Sequence, residues 1–172
     1  MTLEPLEVPI VFDLRGRLYS KSAVVEELVS RRRSGAHPSQ SRRDFDTTVT
    51  RLTDVCEVSN AEESTEGKVV IRCPLTSFDT CYGLHRFVGF WTCGHVVCVS
   101  ACNRMLEQRP QAINSSSEDD VTFSICPYCG ESSFSVSLIL GCEEDEVSQL
   151  KRLRPLQRES RKRKRTESLA KA

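Results

Sequence analysis

The chain has 172 residues, 24 Lys or Arg against 24 Asp or Glu, and only 6% aromatics, which allows one or two small domains with a modest core. Nine Cys, an odd count, stand behind an N-terminus (MTLEPLEVPIVFDLRGRLY) whose apolar stretch is broken by acids; this argues against a signal peptide and a secreted disulfide framework. No apolar run approaches the ~20 residues of a membrane span.

Residues 1–35 predict a strand, a turn, a strand and a helix. In PIVFD, Ile10 and Phe12 alternate; Gly16 supplies the bend and LYS the return strand. Ser20 or Ser22 can cap a helix with Val25, Leu28 and Val29 on one face. Arg31, Arg32 and Arg33 fall in its last turn, where cations complement the dipole, and Gly35 ends it. Residues 36–67 read as a linker with one strand: a polar stretch, the strand-like VTRLTDVCEV (49–58) and the acidic loop SNAEESTEG.

Residues 68–154 predict a second folded unit. KVVIRCPLT is a strand turning at Pro74, and HRFVGFWTCGH is a hairpin strand leading into a tight turn. A short helix follows at 99–108, then a flexible insertion at 109–120. VTFSICPYCGESSF carries a strand into a Cys knuckle, and FSVSLIL is another strand. The last helix, 143–154, has four acids in its first turn and Lys151, Arg152 and Arg154 in its last, with Pro155 ending or kinking it. The fold class is therefore α+β: two small ββα units, a C-terminal helix and a disordered basic tail at 155–172.

Residues 151–172 hold ten Lys or Arg against two Glu, so a neutral chain ends in a segment of +8. Arg161, Lys162, Arg163, Lys164 and Arg165 are five adjacent cations that repel one another and bury nothing. The pattern reads as a nuclear localisation signal, giving a nuclear protein, or as a nucleic-acid contact; the alternative is a solvated tail.

The strongest chemical signal is CGH followed by CPYCG. Cys93, His95, Cys126 and Cys129 offer three thiolates and one imidazole, a tetrahedral set for one Zn²⁺ per chain. Half-sites so far apart make the ion close a long loop and hold a weak core together. A second metal would need Cys73, Cys98 and Cys102, with Cys81 replacing the poor donor Thr76. The alternative is that Cys73, Cys98 and Cys102 are small buried apolar residues, with a hydrogen-bonded Thr76 hydroxyl in place of a metal. His37 and His85 read as ordinary surface or partly buried residues, Cys56 and Cys142 as packing residues.

CPYC is also a glutaredoxin-type redox motif, but Gly130 and Glu131 follow it and no thioredoxin-like opening precedes it. A zinc deaminase needs His-x-Glu, and here His95 is followed by Val96 and Val97. Four protein ligands leave no open position for water, so hydrolysis is disfavoured.

These parts in this order resemble the RING and U-box folds, and more narrowly the replication termination factor 2 family. EPLEVPIVFDLRGRLYSKSAVVEELV resembles that family's metal-free, U-box-like half, and RLTDV its joining segment. IRCPLT, FWTCGHVV, ICPYCGESSF and EEDEVSQLKRL resemble its zinc-binding, RING-like half. The resemblance implies a nuclear protein at stalled or terminating replication forks, with RNA processing (pre-mRNA splicing) through the basic tail as the alternative. It implies partners in the replication or RNA-processing machinery, ubiquitin-conjugating enzymes among them, and at most a non-covalent, ligase-like adaptor role. Leu75, Trp91 and Pro127 are the candidate partner contacts, each with core packing as the alternative, Trp91 above all. Family chains begin upstream of this Met1, which implies a missing N-terminal segment or a misassigned start; Cys98, Cys102 and the long 109–120 insertion also depart from the family pattern.

Overall fold

The computed structural model describes residues 5–34, 48–65, 67–80, 83–107, 113–114 and 122–170. It is a mixed α/β protein with helices α1 (Lys21–Ser34), α2 (Val99–Glu107) and α3 (Glu143–Ala170) and several small antiparallel sheets. None of the described helices is long and apolar enough to cross a membrane.

The same plan occurs twice. β1 (Ile10–Asp13) and β2 (Leu18–Ser20) form a hairpin that runs straight into α1, and β3 (Val55–Glu57) joins the free edge of β1, giving the order β2-β1-β3. β6 (Phe87–Phe90) and β7 (Val96–Cys98) form a second hairpin that runs into α2, and β10 (Ser135–Ser137) joins the free edge of β6, giving β10-β6-β7. In each, the first hairpin strand is central, so it is buried on both faces; all four residues of β1 and of β6 are buried. Between the units, β4 (Ala61–Glu63) pairs with β5 (Val69–Ile71), with Ala61 opposite Ile71.

The two units share one core. Ile10, Phe12 and Leu14 of the first cluster with Phe90, Trp91, Val96, Val136 and Leu153. Phe12 sits on Gly89 of β6, where a Cβ would come within 2.7 Å of its ring. The opposite face of β1 forms a smaller cluster, Val11 with Val24 and Val49. That cluster sets the register of α1: Val24 is buried and Leu28 packs beside it, whereas Val25 and Val29 are 37% and 40% exposed. The inward face is thus one residue out of step with the Val25–Leu28–Val29 stripe read from the sequence.

α3 binds both units to each other. Arg17 in the first hairpin pairs with Glu146, Leu153 is fully buried, and Gln157 and Arg161 reach the carbonyl of Thr53 in a 3-10 turn, Leu52–Asp54. Gln149 acts as a strand end. Its amide accepts from Ser137 N at 3.0 Å and donates to Ser137 O at 3.0 Å, filling the open edge of β10. This docking explains a correction: α3 passes through Pro155, and its backbone is helical to Ala170, where the sequence predicts an end and a disordered tail. A proline inside a helix costs about 3 kcal/mol, and side chains docked on both sides of it (Leu153, Gln157, Arg161) offset that cost.

Three further segments differ from the sequence reading. The acidic stretch after Val58 contains β4 rather than a plain loop. The stretch 49–58 contributes only the 3-10 turn and β3. Within the expected insertion lies β8 (Ile113–Asn114), which pairs with β9 (Thr122–Phe123) in the strand expected before the knuckle.

Candidate metal centre

The site is built by two turns brought together by β6. Beyond Phe90 the chain turns through 91–95 and returns as β7. Gly94 N donates to Phe90 O at 2.8 Å, and Phe90 N to His95 O at 2.9 Å. Gly94 takes φ +74°, and a Cβ there would lie 2.1 Å from the carbonyl oxygen of Glu57, so both backbone and space demand glycine. The second turn is a knuckle: Gly130 N donates to Cys126 O at 2.8 Å and Cys126 N to Glu131 O at 2.9 Å. β10 then pairs with β6, Ser135 opposite Phe90, which brings the knuckle beside the first turn. Thr92 N donates to Ser133 Oγ at 2.8 Å and locks the two together.

The ligand atoms of Cys93, His95, Cys126 and Cys129 all lie within 4.8 Å of one another. Cys126 Sγ is 3.9 Å from His95 Nδ1. A tetrahedral ion with bonds of about 2.0–2.3 Å needs ligand separations of roughly 3.3–3.8 Å, so a small inward movement suffices. The donor set fits one metal ion. Burial pushes the thiols of Cys93 and Cys126 up, with the His95 backbone N–H opposing the shift at Cys93 and the Tyr128 and Cys129 backbone N–H groups opposing it at Cys126. Clustered buried sulfurs are poor anions by themselves, and a cation among them displaces their protons.

Several positioning residues carry no signal in the sequence. Ser59 N donates to Gly94 O at 2.9 Å and Ser59 Oγ to Cys93 O at 2.6 Å. Asn60 accepts from Val96 N at 2.8 Å and donates to the carbonyls of Arg72 and Val96. An Asn in an acidic stretch reads as a turn residue; only the fold reveals that its amide joins three segments. Tyr128 sets its ring edge-on to His95, centroids 4.8 Å apart.

No second metal cluster forms among the described residues. Cys73, Cys98 and Cys102 are buried in the main core, and Cys81 lies outside the described residues. Cys73 is nonetheless poised as an acceptor. Burial opposes its ionisation, but the N–H groups of Cys98, Leu75 and Thr76 and the Thr76 hydroxyl hold its thiol below the ordinary value. Cys98 N lies 3.3 Å from its sulfur. Hydrogen bonds to the Cys73 sulfur thus close this turn, with Thr76 as a donor to it. Cys56 packs, donating to Trp91 O at 3.1 Å, whereas Cys142 is exposed and is no packing residue. His85 is exposed and stacks on Phe78; His37 lies outside the described residues.

Of the candidate contact residues, Leu75 is 39% exposed and Pro127 half-buried, but Trp91 is a core residue at 8%. Its ring stacks on Phe134 and meets Phe12 edge-on, with centroids 5.6 and 5.7 Å away. Of the basic run, Arg161 is also not a free tail residue. It pairs with Asp54, which accepts as well from Thr50 and from the Arg51 N–H. Although burial opposes it, these bonds hold the Asp54 carboxyl below the usual carboxylate range. Arg163, Lys164 and Arg165 lie on the helical backbone of α3, and Lys162 is exposed.

The chain matches the Rtf2 RING-finger family over residues 1–172, its whole length. It belongs to that family. Among curated proteins none matches it. The Cys/His cluster is consistent with the zinc of a RING-finger family.

Proposed function

We propose that the protein is a nuclear, zinc-stapled adaptor acting at stalled or terminating replication forks through the ubiquitin system. In this reading the first unit is a metal-free, U-box-like fold. The second is a RING-like fold holding a single Zn²⁺ on Cys93, His95, Cys126 and Cys129. The observation that carries it is the convergence of those four donors on the ββα scaffold of a chain in the Rtf2 RING-finger family. RING-type units act without bond chemistry of their own, by holding a charged conjugating enzyme in a reactive pose. Exposed apolar side chains support a docking role. Leu75 and Phe78 stand on the CPLT turn, Met105 on α2 and Tyr128 on the knuckle beside Pro127. Isolated apolar residues are common on surfaces; these stand on the segments that carry or adjoin the candidate contacts Leu75 and Pro127 and on the helix after the CGH turn.

Nuclear import is assigned to Lys162, Arg163, Lys164 and Arg165, with Arg161 shared between this run and the folded body. The test is a pull-down with a panel of ubiquitin-conjugating enzymes, using wild type, Leu75→Ala and Pro127→Ala. Capture that survives both substitutions, or no capture at all, overturns the docking reading. Salt-dependent RNA or DNA binding that disappears with residues 151–172 would instead favour RNA processing.

A further inference from the structure

A second feature shares none of the residues Cys93, His95, Cys126 and Cys129. Between α3 and the segment 48–54 is a cavity of about 270 Å³. Its walls are unusually cationic: Arg51 from one side, and Arg154, Arg158 and Arg161 from α3. The last three stand at i, i+4 and i+7, one stripe of a helix. The wall also includes Thr48, Thr50, Asp13 and Asp54. Both carboxylates are already committed. Asp13 accepts from Arg15 N, Arg17 N and Tyr19, and Asp54 from Thr50, Arg51 N and Arg161. Even with both ionised, four arginines stand against two acids.

The cavity also holds polar atoms without partners. Thr48 Oγ1 and Arg161 Nε are buried and make no hydrogen bond among the described residues. Native proteins seldom leave such atoms unpaired, and a ligand is a standard reason. The guanidinium groups of Arg154 and Arg158 make no hydrogen bond or ion pair among the described residues. A ring of guanidinium groups around a polar hollow is chemistry suited to phosphate, which Arg binds through paired, charge-assisted hydrogen bonds.

We propose that this cavity binds the phosphate monoester of a small ligand of about mononucleotide size. The excess of two positive charges matches a monoester dianion better than a singly charged diester. The volume is just below the roughly 300–1,000 Å³ of drug-sized sites, so a phosphate and its immediate carrier fit, not a continuing polymer. Occupancy would tie α3 to the 48–54 segment at the point where Arg161 already meets Asp54.

The test is calorimetric titration of the metal-loaded full chain with inorganic phosphate and with AMP. Saturable one-to-one binding is expected, with the two ligands competing. Arg154→Ala with Arg158→Ala should weaken AMP at least tenfold, and Arg51→Ala, on a different element, severalfold. Lys151→Ala, the same loss of one charge as Arg51→Ala but on exposed α3 surface, should leave binding unchanged. If circular dichroism shows α3 disturbed in the double variant, Arg51→Ala decides. No saturable binding at 10 mM of either ligand overturns the proposal, as does equal weakening by Lys151→Ala. So does a 5′-hydroxyl oligonucleotide, carrying diesters only, that binds more tightly than AMP and loses affinity in the arginine variants: that result marks a nucleic-acid track.

Discussion

The two ββα units solve one problem by different means. Each must fix a tight turn between its hairpin strands. In the second unit that turn carries Cys93 and His95, and a metal shared with the Cys126–Cys129 knuckle can hold it. In the first unit the corresponding turn is held by one buried carboxylate: Asp13 Oδ1 accepts from Arg15 N and Arg17 N, each at 3.0 Å, while Oδ2 accepts from Tyr19. Burial raises the Asp13 pKa while those hydrogen bonds oppose the rise. The Cys/His clamp joins turns about thirty residues apart, whereas Asp13 reaches its partners within six residues. The shared core makes the two solutions interdependent.

The largest effect should come from breaking the metal clamp. Cys126 is fully buried, and Cys126→Ser should abolish metal retention. Structural zinc contributes roughly 10–16 kcal/mol in small peptides, as much as the whole stability of a typical domain at about 5–15 kcal/mol. The second unit should lose its cooperative transition. Because Phe12 rests on β6, the first unit should lose stability with it, leaving no independent folded N-terminal half. Elemental analysis plus hydrogen exchange on residues 10–30 checks this. A protected first unit in the metal-free variant would show that the units fold separately.

Asp13→Ala should come next. It takes the acceptor from the Arg15 and Arg17 backbone N–H groups and one bond from Tyr19; at roughly 1–3 kcal/mol for each N–H left unsatisfied the loss is about 2–6 kcal/mol. Metal content should stay unchanged, which separates the two clamps. Urea denaturation with a parallel metal assay measures both. A smaller loss, about 1–3 kcal/mol by overpacking, is expected for Gly89→Ala, because the added Cβ meets the Phe12 ring. Phe12→Leu in the same chain should recover part of it; strict additivity in that double-mutant cycle would show that the units do not press on each other there.

Much of this was legible in the sequence, for reasons that can be named. The hairpins and α2 follow from period and turn residues, and the four ligands follow from paired spacing around glycines, Gly94 and Gly130. What stayed hidden depends on distant partners. The α1 face shifted by one residue because Val49, across the linker, chose Val24. Trp91 read as exposed or buried with equal justice until Phe12 arrived from the other unit. Asn60 and Gln149 are backbone substitutes, and no local pattern marks an amide that will meet a strand edge far away in sequence. α3 overran Pro155 because its anchors, Thr53 and Asp54, lie about a hundred residues earlier.

The smallest predicted effect concerns that last anchor. Arg161 is about one-third exposed, and pairs at that exposure contribute about 0–1 kcal/mol, so Arg161→Ala should cost no more than about 1 kcal/mol at neutral pH. Its pH dependence is the sharper observable. The folded state holds the Asp54 carboxyl below its ordinary value of 3.8. A depressed acid contributes stability that is fully present above the unfolded pKa and is lost as pH falls through the folded one. The difference between wild type and Arg161→Ala should therefore be constant above about pH 5 and shrink below the ordinary carboxylate range. Asp54→Asn should remove that pH dependence, while Gly89→Ala, which touches no titrating group and meets only the Phe12 ring, should leave it in place. Chemical denaturation of the three variants between pH 3 and 7 measures it. An Arg161→Ala difference that persists undiminished at pH 3 would show that the arginine acts through the Thr53 carbonyl, which does not titrate, and that the ion pair with Asp54 adds nothing to the docking of α3.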